Sequence, residues 1–196
     1  MNSPSRSWKA TSINSAQPRL ATLADVERLQ VLIEASAHGL SDGDYSALQI
    51  DAALQGTFGV DSQLIRDGTY WVIEDKPQIL AAGGWSYRAT LCGGDNAADR
   101  IADRLDPSCD AARIRAFFVH PTAARRGFGR QLLEICEHEA TQHGFSKLTL
   151  LATLPGRRLY AACGFVADVS VEQKLAGGVK MPFVPMHKFL SPPSSA

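Results

Sequence analysis

The sequence predicts a mixed α/β (α+β) domain, and three observations support this fold class. Apolar residues recur with a helical period in the first third of the chain, a strand-like pattern follows, and strands and helices alternate in the C-terminal half. A chain of 196 residues with 45% hydrophobic and 20% charged residues is ordinary for one soluble domain. At this length the chain buries a sizeable core without disulfides or a structural metal.

The N-terminal third is predicted to contain one short strand and three helices, at residues 19–21, 23–36, 45–54 and 62–66. The longest helix is amphipathic, because its apolar residues fall at helical spacing: Val26, Leu29, Leu32 and Ile33. It is preceded by Thr22, and Asp25 follows three residues later, which predicts a capping box. The polar, Ser-rich residues 1–18 are expected to form a disordered tail, without the apolar segment of a secretory signal.

The middle of the chain is predicted to form a hairpin of two strands, 70–74 and 78–88, around a short turn. Gly83 and Gly84 lie inside the second strand, which indicates a bulge or the close approach of another backbone. Residues 90–110 are polar and form a long connection, with a possible helical turn at 97–105. Connections of this length are usually functional or mobile.

The C-terminal half begins with the clearest strand, at 113–119, and continues with a helix at 127–143 that ends at Gly144. One face of this helix is apolar: Leu132, Leu133, Cys136 and Ala140. A strand, a helix and a final hairpin follow, at 147–152, 155–162, 165–175 and 179–190. We therefore divide the chain into a disordered tail at 1–18, one domain at 19–190 and a loose tail at 191–196.

Charge and composition disfavour several classes of function. Lys plus Arg and Asp plus Glu each number 20, so the formal net charge is zero, which argues against a nucleic-acid partner. No apolar run approaches the roughly 18 residues that span a bilayer, so no membrane partner is expected. The cysteines have neither C-x-x-C nor zinc spacing, so we expect no metal and a reducing compartment, the cytoplasm: Cys92, Cys109, Cys136 and Cys163.

One segment departs from this neutral balance, because residues 113–130 contain several arginines and no Asp or Glu. A strand leads to a turn at Pro121, and Gly127 and Gly129 then open a helix. The first turn of a helix carries unpaired N–H groups and a partial positive charge. Glycines let such donors approach a phosphate closely, so the segment is predicted to bind an anion.

The spacing of the glycines separates this loop from the common nucleotide loops. A P-loop needs G-x-x-x-x-G-K-[ST], and a Rossmann fingerprint needs a third glycine where Leu132 stands. What remains is V-x-P followed by Arg125-Arg126-Gly127-Phe128-Gly129. It resembles the Q/R-x-x-G-x-G/A motif of the GCN5-related N-acetyltransferase (GNAT) family, with Ala124 in the first position.

A second element supports the resemblance, because residues 159–165 match the L-Y-x-x-x-G-F element of the same family. Thr153 stands where many members carry Asn, and Gly156 replaces a common Ala. The resemblance implies a mostly antiparallel central sheet of six to seven strands with helices on both faces. Two parallel strands in the middle of this sheet would splay apart and admit coenzyme A.

The resemblance also implies roles for individual residues. Phe118 and Val119 would pair through their backbone with the pantetheine of acetyl-CoA, as with an added strand. The amide of Phe117 would polarise the thioester carbonyl, and Tyr160 would act as general acid toward the leaving thiolate, with core packing as the other reading of Tyr160. The pyrophosphate would be held by the loop and helix start: Arg125, Arg126, Gly127, Phe128, Gly129 and Arg130.

The implied function is an N-acetyltransferase that moves an acetyl group from acetyl-CoA directly to an amine of a small molecule or protein. A non-catalytic acyl-CoA-binding regulatory module is the alternative. The base that deprotonates the amine is not identified, although three residues lie near the site in sequence: Glu74, Asp110 and His120. Trp85, Tyr87 and Arg88 could either contact the acceptor or pack in the interior. Arg157 and Arg158 could either contact a phosphate or form a solvated surface. The acceptor and the oligomeric state stay open, with a homodimer through the last hairpin as one arrangement.

Overall fold

A computed structural model describes residues 16–97 and 103–191 of the protein, and in these residues eight strands form one sheet flanked by five helices. The strands are β1 (Pro18–Leu20), β2 (Tyr70–Asp75), β3 (Gln78–Ser86), β4 (Ala112–Val119), β5 (Lys147–Ala152), β6 (Val166–Ala167), β7 (Val171–Lys174) and β8 (Lys180–Phe189). The helices are α1 (Val26–Gly39), α2 (Ala47–Leu54), α3 (Ser62–Arg66), α4 (Phe128–Gln142) and α5 (Arg157–Ala162). Short 3-10 turns occupy Leu23–Asp25, Pro121–Ala123 and Ala176–Gly178.

The sheet has the strand order β1-β2-β3-β4-β5-β8-β6, with β7 also paired to β8. The paired strands are antiparallel except β4 and β5, which run parallel. These two strands are paired only where Ala112 faces Leu148 and Arg113 faces Thr149. Beyond Arg113 they separate, which confirms the expected mixed sheet with a parallel splay in its middle.

The last hairpin differs from its prediction, because the expected strand 165–175 is two strands, β6 and β7. Ala167 pairs with Met186 and Val171 pairs with Phe183, so three residues of one strand face two of β8. A regular ladder cannot hold the extra residue, and the strand is interrupted there. The sheet therefore has eight strands instead of the expected six to seven, because the interrupted strand counts twice and the short β1 is included.

Two hydrophobic clusters hold the helices against the sheet. The first joins α1, α2 and α3 to β2 and β3 around residues such as Leu29, Ile33 and Leu64. The second joins α4 and α5 to β4, β5 and β8 around Cys136 and Leu148. The predicted apolar face of α4 is buried throughout, as expected: Leu132, Leu133, Cys136 and Ala140.

Most element boundaries agree with the sequence prediction to within a few residues. Pro18 belongs to β1 rather than to the tail, and α1 extends to Gly39 rather than to residue 36. β3 ends at Ser86, two residues earlier than predicted. Residues 1–15 and 192–196 of the predicted tails, and most of the predicted turn at 97–105, lie outside the described residues.

The start of α1 is fixed by a network of four charges. The backbone N–H of Thr22 donates to the Asp25 carboxylate at 2.9 Å, as the predicted capping box requires. Arg19 and Arg28 each bond both Asp25 and Glu74. Arg19 and Arg28 lower the pKa of the Glu74 carboxyl to about 2, and Arg19 with the hydrogen bonds from Thr22 holds the pKa of Asp25 well below its ordinary value. The network joins β1, β2 and α1 at their outer ends.

Candidate active site

A cavity of about 630 Å³ opens where β4 and β5 diverge. It follows β4 from Ile114 to Val119 and continues along the N-terminal turn of α4 and one side of α5. The last turn of α1 and residues 57–59 and 91–93 line its other part. Because β5 has separated from β4 here, one edge of β4 faces the cavity rather than a neighbouring strand.

β4 carries a bulge at the centre of this cavity. Ala82 pairs with Phe118 and Gly84 pairs with Arg115, so Ala116 and Phe117 together face Gly83. Ala116 has a positive φ of 55°, and its carbonyl accepts a hydrogen bond from the buried Tyr70 hydroxyl at 3.1 Å. The sequence predicted a bulge or a close backbone approach at Gly83 and Gly84; the structure has a bulge in β4 opposite Gly83 and the backbone of Thr69 close to Gly84.

The two glycines of β3 are required because their neighbours leave no room for side chains: the bulge residue Phe117 at Gly83, and Thr69 and Tyr70 at Gly84. A Cβ at Gly83 would lie 2.8 Å from the ring of Phe117. A Cβ at Gly84 would lie 2.7 Å from the carbonyl oxygen of Thr69. Both distances are shorter than real Cβ contacts, so the ring of Phe117 can lie across the strand only because Gly83 has no side chain.

Main-chain alternation shows which groups of β4 face the cavity. The N–H of His120 donates to Leu80 O at 2.8 Å, toward β3. Since the polar groups of successive residues point to opposite edges of a strand, those of Val119 point toward the gap. The N–H of Val119 meets the hydroxyl of Ser36, on α1, at 3.3 Å. By the same alternation, Phe118, which pairs with Ala82, faces β3.

The loop after β4 has the backbone of an anion-binding concavity. Arg125 has a φ of 63° and Gly127, which caps α4, a φ of 88°. Left-handed residues at this spacing turn successive N–H groups to one side, where the first turn of α4 adds its own. Ala116 and Arg125 are the non-glycine residues with positive φ in the described part of the chain, and both line the cavity. Strain of this kind concentrates at functional sites.

Close packing explains the second glycine of the loop. A Cβ at Gly129 would lie 2.9 Å from Leu159 of α5 and 3.8 Å from Val119 of β4. The absence of a side chain therefore lets the start of α4 lie close to both elements, and the backbone N–H groups of its first turn stay near the mouth of the splay.

The arginines of the segment occupy different positions. Arg125 and Arg130 line the cavity, and Arg130 also donates to the carbonyl of Ala162 at 3.3 Å. Arg126 is exposed and lies over the ring of Phe128, at 4.9 Å, outside the lining. Arg158 lines the cavity and Arg157 does not.

Arg115 is not part of the anion site that the sequence indicated. Its guanidinium is buried, bonds Asp61 at 2.8 Å and donates to Gly93 O at 2.7 Å. The charge is therefore balanced inside the protein, and the anion site begins ten residues further along the chain, at Arg125.

Tyr160 lies at the edge of the cavity, beside Phe117 of the bulge. Its ring meets those of Phe117 and Phe165 edge-on, with centroids 6.1 and 5.8 Å apart. Gly164 has a φ of 87° and turns the chain so that Phe165 N–H donates back to Tyr160 O at 3.0 Å. Burial raises the pKa of the Tyr160 hydroxyl, which stays protonated at neutral pH.

The three residues considered as bases have structural partners and do not line the cavity. Glu74 belongs to the charge network at β1. His120 caps the turn after β4 through Nδ1, 3.3 Å from Thr122 N. Asp110 accepts from Asp106 N at 2.8 Å.

The residues considered for acceptor contact also pack internally. Trp85 is almost fully buried against Phe145, and Arg88 bonds Asp67. Tyr87 lies beside Arg88 and Arg104. Trp85, Tyr87 and Arg88 therefore make contacts within the protein and do not line the cavity.

Two polar residues beside the site had no sequence signal. Ser36 and Tyr45 occur in helical patterns where nothing distinguishes them from ordinary surface positions. Ser36 meets the Val119 amide, and the Tyr45 hydroxyl accepts from Leu154 N at 2.8 Å and donates to Pro182 O at 2.7 Å. Both contacts join residues far apart in sequence, so they depend on the tertiary fold.

Two further findings concern the described residues. No group of three or more His, Cys, Asp or Glu side chains among them could hold a metal ion. None of the helices they form is long and apolar enough to cross a membrane.

Comparisons with known proteins agree with this geometry. A family model described as an acetyltransferase (GNAT) domain matches residues 66–167. No curated protein sequence matches the chain significantly. Among solved structures, a GCN5-related N-acetyltransferase from Rhodopseudomonas palustris is similar with a TM-score of 0.66 and 20% identity, over 89% of this chain and 96% of that one.

Two other solved structures show the same fold. A ribosomal-protein-alanine N-acetyltransferase from Brucella melitensis has a TM-score of 0.58 and 17% identity, over 89% of this chain and 99% of that one. A phosphinothricin acetyltransferase from Sinorhizobium meliloti, solved with acetyl-CoA, has a TM-score of 0.56 and 15% identity, over 92% of each chain. At these identities the likeness concerns the fold.

Proposed function

Because the chain belongs to the GNAT acetyltransferase family, we propose that it is an N-acetyltransferase that moves an acetyl group from acetyl-CoA directly to an amine of a small molecule or protein. The observation that carries this proposal is the cavity that connects the start of α4, the open edge of β4 and Tyr160. Acetyl-CoA has a pyrophosphate at one end and a thioester at the other, so its binding site needs an anion-binding region, a groove for the arm and a reaction site in that order.

The residues present fit coenzyme A. The left-handed Arg125 and Gly127, with the first turn of α4, provide N–H groups and positive potential for the pyrophosphate. Arg125 and Arg130 add charge from the lining. We expect Val119, rather than Phe118, to pair with the pantetheine, because Val119 is the one whose main chain faces the gap. Phe118 would contribute its side chain.

The bulge would supply the electrostatic part of catalysis. Gly83, Tyr70 and the turn at Ala116 hold Phe117 in a fixed position. We expect its N–H to donate to the thioester carbonyl oxygen as negative charge develops there when the amine nitrogen bonds to the carbonyl carbon. A donor that is fixed in advance needs no reorganisation during the reaction, which is the reason for holding it so tightly.

Tyr160 would assist the leaving sulfur when the carbon–sulfur bond breaks. The pKa of its hydroxyl is raised by burial, whereas a leaving thiolate has a pKa of about 8.5. Complete proton transfer from Tyr160 is therefore uphill, and we assign it the role of hydrogen-bond donor that stabilises the thiolate. The amine loses one proton and the thiolate finally takes up one proton, so the overall reaction neither releases nor consumes protons.

A test separates the enzyme from a non-catalytic binding module. The full chain is incubated with acetyl-CoA and a panel of amines, free thiol is measured, and the affinity for acetyl-CoA is measured by calorimetry. Amine-dependent thiol release is the expected result. Micromolar binding without thiol release with any amine would favour the module.

We further propose a cytoplasmic location for the enzyme. The four cysteines are free thiols in the structure, and reducing compartments maintain cysteines in this form.

A further inference from the structure

The cavity extends past the bulge to a second region built by two loops. Residues 57–59 and 91–93 line this region. Arg115, which bonds Gly93 O and Asp61, lies four residues before Val119 on β4. Phe58 of the first loop lies edge-on to Phe118 of β4, and Arg115 of β4 bonds the second loop, so the two loops lie around the bulge. The coenzyme loop instead follows the C-terminal end of β4.

Large apolar side chains dominate this second region, and we call them the apolar wall: Leu40, Phe58, Leu91, Phe118 and Phe183. Phe58 is at its centre, edge-on to Phe118 at 6.1 Å and to Phe183 at 6.4 Å. Phe58 and Phe183 are almost fully buried, whereas Leu91 is half-buried. Aromatic rings in such arrangements offer a rigid apolar surface to a ligand.

The charged side chains that line the cavity, within the described residues, are arginines: Arg115, Arg125, Arg130 and Arg158. Arg115 is neutralised by Asp61, and the lining, within the described residues, includes no carboxylate that could bind a second cationic group on an acceptor. The wall and the lack of a lining carboxylate therefore act in the same direction, favouring an amine whose remaining part is apolar over one that is polycationic.

The two loops are fixed to each other, so the apolar wall is formed before a ligand arrives. Gly94 N–H donates to Gly56 O at 3.0 Å, and Asp95 N–H donates to Val60 O at 2.9 Å. A Cβ at Gly94 would lie 2.7 Å from the Cα of Gly59. A preformed apolar surface binds a ligand without the free-energy cost of first ordering its loops.

We propose that the acceptor amine carries an apolar group that binds the apolar wall, with Leu91 as a residue that determines this specificity. The inference rests on the proposed acetyl transfer and specifies its substrate class. A small molecule and a peptide N-terminus share this chemistry. An apolar pocket discriminates about 10- to 200-fold per methylene group, so the preference is large enough to measure.

Two matched pairs of acceptors test the inference. The first is 2-phenylethylamine against ethanolamine, and the second is a peptide beginning with Phe against the same peptide beginning with Ser; spermidine is the polycation. We expect kcat/KM to be at least tenfold higher for the apolar member of one pair or both, and lowest for spermidine. Leu91→Ser should reduce that ratio about tenfold. Leu48→Ser, on an exposed position of α2, should leave it unchanged.

The outcomes separate this inference from the proposed function. Thiol release with a ratio near one in both pairs, or fastest with spermidine, would overturn the apolar acceptor and leave the acetyl transfer intact. No thiol release with any acceptor would overturn the acetyl transfer itself. A ratio that Leu91→Ser leaves unchanged would overturn the role of Leu91, provided that circular dichroism shows the variant folded.

Discussion

The Tyr70 hydroxyl donates to the carbonyl oxygen of Ala116 at 3.1 Å, and the tyrosine is completely buried. A residue of β2 thus holds the bulge of β4 across the intervening strand β3. This is possible because Gly84 leaves the space that the ring of Tyr70 occupies, a Cβ there lying 3.0 Å from Tyr70 Cδ2.

Tyr70→Phe should therefore affect both stability and catalysis. Removing the hydroxyl leaves the Ala116 carbonyl without this donor, which costs about 1–3 kcal/mol of unfolding free energy. The looser bulge should also lower kcat by about tenfold. Chemical denaturation and steady-state kinetics measure the two effects. Thr141→Val, which removes a hydroxyl bond to a carbonyl of α4 outside the cavity lining, is the control and should leave kcat unchanged.

Ser36→Ala should strengthen the binding of coenzyme A. The Ser36 hydroxyl accepts a hydrogen bond from the Val119 N–H, the group that is expected to bind the coenzyme. A hydrogen bond of about 1 kcal/mol corresponds to roughly a fivefold gain in affinity when this competition is removed. Calorimetry measures it, with Ser46→Ala at the N-cap of α2, outside the cavity lining, as control. A weaker complex would show that Ser36 supports the coenzyme instead of competing with it.

Tyr160→Phe should lower kcat about 10- to 100-fold and leave the Kd for acetyl-CoA nearly unchanged. The loss corresponds to a hydrogen bond to a charged sulfur of about 1.5–3 kcal/mol. Because burial raises the pKa of Tyr160, its hydroxyl is lost as a donor only above pH 10. An alkaline decline of kcat near neutral pH, or an unchanged kcat in the variant, would contradict this role.

Gly127→Val should weaken coenzyme A binding at least 100-fold. A branched residue resists the φ of 88°, at a cost of about 1–2 kcal/mol, and its side chain enters the space beside the phosphate N–H groups. Gly43→Val is the matched control, because Gly43 has a φ of 81° and similarly open surroundings. Both variants should lose similar stability. Equal losses of coenzyme affinity would show that the loop assignment is wrong.

The charge network at α1 should make stability depend on acid. The pKa of Glu74 is lowered from 4.5 to about 2, so its contribution is complete above pH 4.5 and disappears as the pH falls toward 2. Glu74→Gln should lower stability by about 1–3 kcal/mol at pH 7 and flatten the decline in acid. Denaturation at several pH values measures this. Glu172→Gln, in an exposed pair with Lys180, should change little.

Local patterns explain how much of this molecule can be predicted from its sequence. The α3 and β5 boundaries agree with the sequence prediction residue for residue, because caps, turns and apolar periods mark them. Gly83 and Gly84 predicted a bulge or a close backbone approach, because glycines inside a strand pattern are a local signal as well. The loop at Gly127 and the position of Tyr160 came from short motifs and a family resemblance.

The contacts that shape the site are long-range, and no local pattern in the sequence predicts them. The bond between Ser36 and Val119 joins residues 83 positions apart, and that between Tyr70 and Ala116 residues 46 apart. The partner of Arg115 was equally hidden, since Asp61 is distant in sequence. Its charge was therefore assigned to the anion site, whereas burial pairs it internally.

The parallel contact between β4 and β5, limited to Ala112 and Arg113, has a consequence for cohesion. The sheet consists of two antiparallel halves that share little main-chain bonding, so a bound coenzyme that touches β4, α4 and α5 would add contacts between these two halves of the sheet. A ligand at a hundred times its Kd adds about 2.7 kcal/mol to the folded state. The supply of donor would thereby govern the lifetime of the enzyme as well as its rate.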